Sequence, residues 1–149
     1  MSFLAEPTPP SEPGSQATGP GVAFPIAAIA VASWAIVPPY LGPELGTASR
    51  LEVADHVVPG VIVVVIALTS IAMRGRDIVF YAAALAVTLC GLWITVTHLP
   101  LIADAARDRV DWGSALHHSL PGPAVLAVGI AWALRARTSG GDAAGPRPG

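Results

Sequence analysis

The chain contains no lysine and one cysteine, and only 12% of its residues are charged. A soluble domain normally carries about a quarter charged residues. Half that share, with the charges bunched between long apolar runs, points to the membrane. The single cysteine, Cys90, lies inside an apolar run. It excludes an intrachain disulfide and any cysteine-based zinc site. All eight basic residues are arginines, and the formal net charge is -2. There is no basic patch to neutralise phosphates, so no nucleic-acid partner is expected. The absence of lysine beside 15 glycines and 15 prolines is the composition of a GC-rich bacterial genome. The chain also has no glycine-rich phosphate loop, no HExxH and no Ser/His/Asp nucleophile constellation. No catalytic residue, and no enzyme, is expected. No ionisable side chain falls in the middle of an apolar run, so no proton relay or ion-coupling site is visible.

What is there is four apolar segments, roughly 21–38, 57–73, 78–99 and 119–134. Crossing about 30 Å of hydrocarbon takes a helix of about 20 largely apolar residues. The first and third segments meet that length outright, and the second and fourth reach it by extending backwards. None alternates apolar and polar residues as a barrel strand would. The expected fold is therefore all-α, a four-transmembrane-helix bundle over residues 21–137. Residues 1–20 are rich in Pro, Ser and Gly and hold no basic residue, as do 138–149 apart from Arg147. The first stretch lacks the positive start of a signal peptide, and both read as disordered tails. Arg74 and Arg76 stand in the RGRD turn, and Arg135 and Arg137 follow the fourth segment. The two longer connections hold six acids against Arg50, Arg107 and Arg109. Basic residues close to helix ends mark the cytoplasmic side. That side then receives the RGRD turn and both termini of a multi-pass protein of the bacterial plasma membrane.

Two five-residue stretches stand out, HVVPG at 56–60 and HSLPG at 118–122. Aligning them brings the halves into register. Trp34 and Trp93 each end a helix, and Ser49 and Asp111 each stand seven residues before the histidine. Ser49 with Glu52 has the form of a capping box, and Asp111 is a good N-cap. Pro59 and Pro121 restart a helix near the membrane surface, and Gly60 and Gly122 permit close backbone approach. Both units run in–out–in, so they are parallel helical-hairpin repeats, about 21–73 and 78–137, related by a pseudo-twofold axis along the membrane normal. The stretches VPPYLGP (37–43) and LEVADHVVPGVIVVVIAL (51–68) resemble the SPW repeat of small bacterial membrane proteins. Here Pro38-Pro39-Tyr40 stands where that family has Ser-Pro-Trp, and the second half offers THLP (97–100). The resemblance implies the two-hairpin fold.

His56 and His118 are the sharpest candidates for chemistry. Two imidazoles facing each other from two helices can ligate a haem iron, as helix bundles commonly do. That gives one functional reading, a b-type haem electron-transfer protein. Duplication alone also explains two histidines at equivalent interfacial places. His98 and His117 share that face and, with Asp55 and Asp111, are weaker candidates for a metal site or a pH-responsive interface. In the second connection, Leu101, Ala105, Trp112 and Leu116 share an approximate helical face, and Asp104 can pair with Arg107. Small residues at four-residue spacing let membrane helices pack closely. These are Ala28 and Ala32, then Ala82, Ala86 and Cys90, then Ala127 and Ala131. Trp34, Trp93 and Trp132 read as interface anchors. The first reading is a structural or accessory membrane protein without a resident cofactor. It would sit in lipid and pack against a larger membrane complex or a second copy of itself.

Overall fold

The computed structural model describes residues 21–37, 53–73 and 76–141, and no strand occurs among them. Helix α1 spans Ala23–Ile36. A π-helical turn, Val53–Val57, runs directly into α2, Val58–Ala72. Helix α3 spans Asp77–Ala105, α4 Trp112–Ser119 and α5 Pro121–Gly141. Helix α1 packs on α2 and α5, and α3 packs on α5 and α2, which closes a four-membered ring. The described part of the first apolar segment forms a helix of only 14 residues. The other three columns, Val53–Ala72, Asp77–Ala105 and Trp112–Thr138, are long and apolar enough to cross a membrane. The second and fourth segments reach that length by extending backwards, because the turns ahead of them are helical too.

The buried seam follows one rule in every column. It runs through Pro25, Ala28, Ala32 and Ala35 in α1, and Gly60, Val63, Ala67 and Ser70 in α2. In α3 it takes Ala84, Val87, Gly91 and Ile94, and in α5 Gly122, Val125, Gly129 and Trp132. Steps of three, four and three keep one face toward the neighbours, as in the seam of a coiled coil. The α3 seam lies 59 residues after that of α1, and the α5 seam 62 after that of α2. The residues filling it are small, so backbones approach closely. A Cβ on Gly60 would stand 2.6 Å from Ile36 Cγ1, and one on Gly122 2.7 Å from the Thr95 nitrogen. Ile36 and Thr95 are themselves 59 residues apart.

Three hydroxyls inside the columns are satisfied locally. Ser70, Thr88 and Thr95 donate to the carbonyls of Ala67, Ala84 and Gly91 at 2.7 to 2.8 Å. Such back-bonding lets a polar side chain sit on an apolar helix without a partner from elsewhere.

Four expectations need correction. Helix α3 does not end near Trp93 or at residue 99 but continues through Pro100 to Ala105. A proline removes one N–H and crowds the preceding turn. The carbonyl it frees is that of Val96, and in the turn just before, Thr97 Oγ1 donates to the carbonyls of Trp93 and Ile94. The second connection is thus mostly helix, broken at residues 106–111, so Leu101 and Ala105 lie on a different helix from Trp112 and Leu116. Trp132 is no interface anchor. It is fully buried, edge-on to Phe80 at 5.1 Å, whereas Trp34 and Trp93 are exposed. Residues 138–141, expected in a tail, are helical. Residues 1–20 and 142–149, the VPPYLGP stretch from Pro38 onward, the Ser49/Glu52 pair and Arg74 lie outside the described residues.

Candidate functional site

All four histidines of the chain gather at one end of the ring. His56 lies in the π-turn before α2, and its ring centroid is 4.1 Å from that of His98 on α3. It is 6.0 Å from that of His118, near the end of α4, and His117 stands 5.7 Å from His118. The rings meet edge to face, at interplanar angles of 63°, 64° and 84°. His56 is the centre, only 1% exposed, while His98 and His118 are half-buried and His117 is exposed. Three chain elements are therefore pinned together by imidazoles.

Local structure sets each ring in place. His56 precedes Pro59 in the tightly packed start of α2, where Pro59 and Gly60 are buried. His98 is oriented by its own helix, with Nδ1 2.7 Å from the Ile94 carbonyl and 3.1 Å from Thr97 Oγ1. A carbonyl only accepts, so Nδ1 carries the proton and donates, and in the neutral ring Nε2 keeps the lone pair. His117 and His118 end α4, whose start is fixed by Asp111. Its Oδ2 accepts from the Ser114 amide at 2.8 Å, as an N-cap should. Ser119, next in the chain, is buried with its hydroxyl making no hydrogen bond.

Before α4 the chain turns at Asp108, whose φ of 55° is in the left-handed region that Asp tolerates better than most residues. Asp104 pairs with Arg109 at 3.3 Å and Arg107 at 3.7 Å, the second being the expected pair. These ions are largely exposed and add little stability.

The Asp111 carboxyl is held below the ordinary carboxylate range by hydrogen bonds from the Ser114 and Gly113 amides and the Ser114 hydroxyl. A depressed folded-state value means that the cap stabilises α4 above the unfolded Asp value, about 3.9. That contribution is lost as pH falls through the lower folded value. Asp111→Ala should therefore speed hydrogen exchange at the Ser114 and Ala115 amides at neutral pH, and Asp111→Asn should largely preserve their protection. Equal exchange in wild type and Asp111→Ala would show that the cap does not hold α4.

The opposite end of the ring carries Arg76, Arg135 and Arg137. Arg137 Nη2 and Nε donate to the Tyr81 hydroxyl at 3.0 and 3.1 Å, tying the end of α5 to the start of α3. His56 lies 17 residues before Met73, and His118 lies 17 before Arg135. At 1.5 Å per residue, both sit about 25 Å of helix away from the arginine end.

The small-residue stripes fall differently. Ala28 and Ala32 are fully buried, as is their seam. Ala82, Ala127 and Ala131 face outward, and Ala86 and Cys90 are half-buried. Within the chain, the α3–α5 contact is made instead by Gly91, Gly122 and Gly129. A Cβ on Gly91 would overlap the backbone of Leu126, and one on Gly129 would come within 2.6 Å of the Thr88 nitrogen. Four-residue steps overshoot a 3.6-residue turn and drift off the interface, whereas alternating steps of three and four stay on it.

The arrangement can bind, share or release protons at a buried place. Among the described residues, no group of three or more His, Cys, Asp or Glu is arranged to hold a metal ion. That applies to His98 and His117 with the neighbouring acids as much as to the four rings together. The chain matches no family model, no curated protein and no solved structure.

Proposed function

We propose that this chain is a small integral membrane protein with a structural or accessory role, packing against a larger membrane complex or a second copy of itself. Its four columns are two parallel hairpin repeats, α1–α2 and α3–α5, as the SPW-like stretches suggest. Support for the repeat comes from the 59- and 62-residue offsets of the buried seams and from the matched Gly60–Ile36 and Gly122–Thr95 contacts. The arginine end faces the cytoplasm of a bacterial plasma membrane, with both termini there, and the histidine end lies near the outer edge of the hydrocarbon. Lipid meets the outward Ile, Leu and Val side chains.

One observation carries the accessory role. The interior is closed by the chain's own small residues, yet Ala127 and Ala131 face outward one turn apart, leaving a small-residue face for another helix. The test is the native mass of the protein extracted in mild detergent, with its visible spectrum recorded in the same preparation. A mass above the monomer, returned to the monomer by Ala127→Leu with Ala131→Leu, and a featureless spectrum are the expected results. A monomer in native membranes and in detergent alike would contradict the role. A Soret band lost in His56→Ala or His118→Ala would replace it with b-type haem electron transfer, which the approach of His56 to His118 makes worth testing.

A further inference from the structure

The α3–α5 contact descends in steps, Gly122 on Thr95, Gly91 on Leu126 and Gly129 on Thr88. Arg137 on Tyr81 is its last step, and there backbone packing gives way to hydrogen bonds between side chains. Within the proposed repeat, the offsets of 59 and 62 residues put Val22 at the place of Tyr81 and Gly75 at that of Arg137. Duplication, which accounts for His56 and His118, therefore does not account for this pair. We propose that Arg137 and Tyr81 together hold the phosphate of one anionic phospholipid headgroup, in the leaflet at the arginine end. The proposal rests on the membrane reading above and not on the accessory role.

The donors set the chemistry. Arg137 turns Nη2 and Nε to the Tyr81 oxygen, with its guanidinium carbon 5.7 Å from the ring centroid. Its remaining N–H groups, on Nη1 and Nη2, stay open. A phenol oxygen that accepts from a guanidinium still has its own O–H to donate, and that proton must point away from the N–H groups facing the oxygen. The pair thus presents N–H and O–H donors side by side. A phosphodiester answers with acceptor oxygens and a negative charge, the group that the guanidinium fork fits.

Charge and depth agree with a lipid. Arg76, Arg135 and Arg137 stand at this end, and Asp77 is the only acid there among the described residues. Arg76 and Arg137 make no ion pair among the described residues. Three guanidiniums are too few for a nucleic acid, whose binding sums many phosphates, but they suit one headgroup. The ammonium of a zwitterionic lipid would be repelled by the same guanidiniums, so a lipid of net negative charge is preferred. Arg137 lies one residue from the end of its apolar column, Trp112–Thr138. Leu134 and Ile130 continue its stripe along α5 and are exposed, as contact with acyl chains requires. Snorkelling would bring an arginine to the bilayer surface by itself, but it does not call for the phenol.

Native mass spectrometry of the full-length protein in detergent tests this, by titration with phosphatidylglycerol or with phosphatidylcholine of the same acyl chains. One phosphatidylglycerol per chain is expected to bind at least about tenfold more tightly, the worth of a charge-assisted hydrogen bond. Tyr81→Phe keeps the ring and the charge and removes only the oxygen. It and Arg137→Gln should each reduce the preference to within about twofold. Arg135→Gln removes the same charge roughly 200° around α5 and should leave the preference intact. Equal losses in Arg135→Gln and Arg137→Gln with none in Tyr81→Phe would overturn the site in favour of attraction by net charge. Displacement of the lipid by inorganic phosphate at equal concentration would overturn the lipid as its ligand. Carbonate extraction of the source membranes separates the remaining failures. Protein that stays in the membrane yet shows no preference overturns this proposal alone, and protein released by carbonate overturns the membrane reading with it.

Discussion

Gly91→Ala is expected to destabilise the bundle by about 3 kcal/mol, at the upper end of what overpacking a closed interior costs. The sign is not given by helix propensity, which favours alanine over glycine by about 1 kcal/mol. It is given by what the added methyl meets. At Gly91 it overlaps the backbone nitrogen and Cα of Leu126, which cannot swing aside as a flexible side chain can. Helices α3 and α5 must separate, and with them the neighbouring contacts of Gly122 with Thr95 and Gly129 with Thr88. Gly21→Ala is the matched control, because nothing lies within 4 Å of its added carbon. It should stay within about 0.5 kcal/mol of wild type. Reversible unfolding by SDS titration from mixed micelles measures both. A neutral or stabilising Gly91→Ala would mean that α3 and α5 do not meet backbone to backbone.

Trp132→Ala carries the second large effect, about 3 kcal/mol. Lipid is as apolar as the ring, so the hydrophobic transfer term that dominates in water contributes little here. What is lost is packing: Trp132 is among the largest fully buried side chains and fits edge-on against Phe80 in the cluster with Ala28, Ala83 and Ala84. A cavity of that size is not closed by neighbours as rigid as helix backbones. The buried Nε1 of Trp132 makes no hydrogen bond. Trp132→Phe therefore removes no hydrogen bond and leaves a smaller void, and it should cost less than half as much as alanine. Near-equal losses for Phe and Ala would show that the indole is held by something other than shape.

These two residues also mark where the sequence could and could not be read. The apolar segments were legible because about 20 residues without charge admit few alternatives to a membrane helix. Gly60 and Gly122 were legible as close-approach points because they recur in HVVPG and HSLPG, and Asp111 because an N-cap is a local matter. Which face of each helix turns inward was not legible. In a soluble helix the polar face reveals the core, but here lipid-facing and core-facing residues are both apolar. Spacing alone left Ala127 and Ala131 open to packing within the bundle or against another protein; within the chain, α5 turns Gly122, Val125, Gly129 and Trp132 inward. Trp132 near a helix end looked like an anchor for the same reason. The convergence of His56 and His118 was an open question in one dimension, since only the ring closure decides it. His98 was legible as sharing their face, but not as the ring nearest His56.

The central claim is that the two halves meet through their histidines, with His56 at the centre. Magic-angle-spinning NMR on protein in lipid bilayers, labelled with 13C and 15N only at histidine, tests it directly. Four ring systems are present, and single His→Gln variants assign them. Ring-to-ring cross-peaks are predicted from His56 to both His98 and His118, and from His118 to His117. A spectrum in which His56 correlates with neither His98 nor His118 would contradict the account.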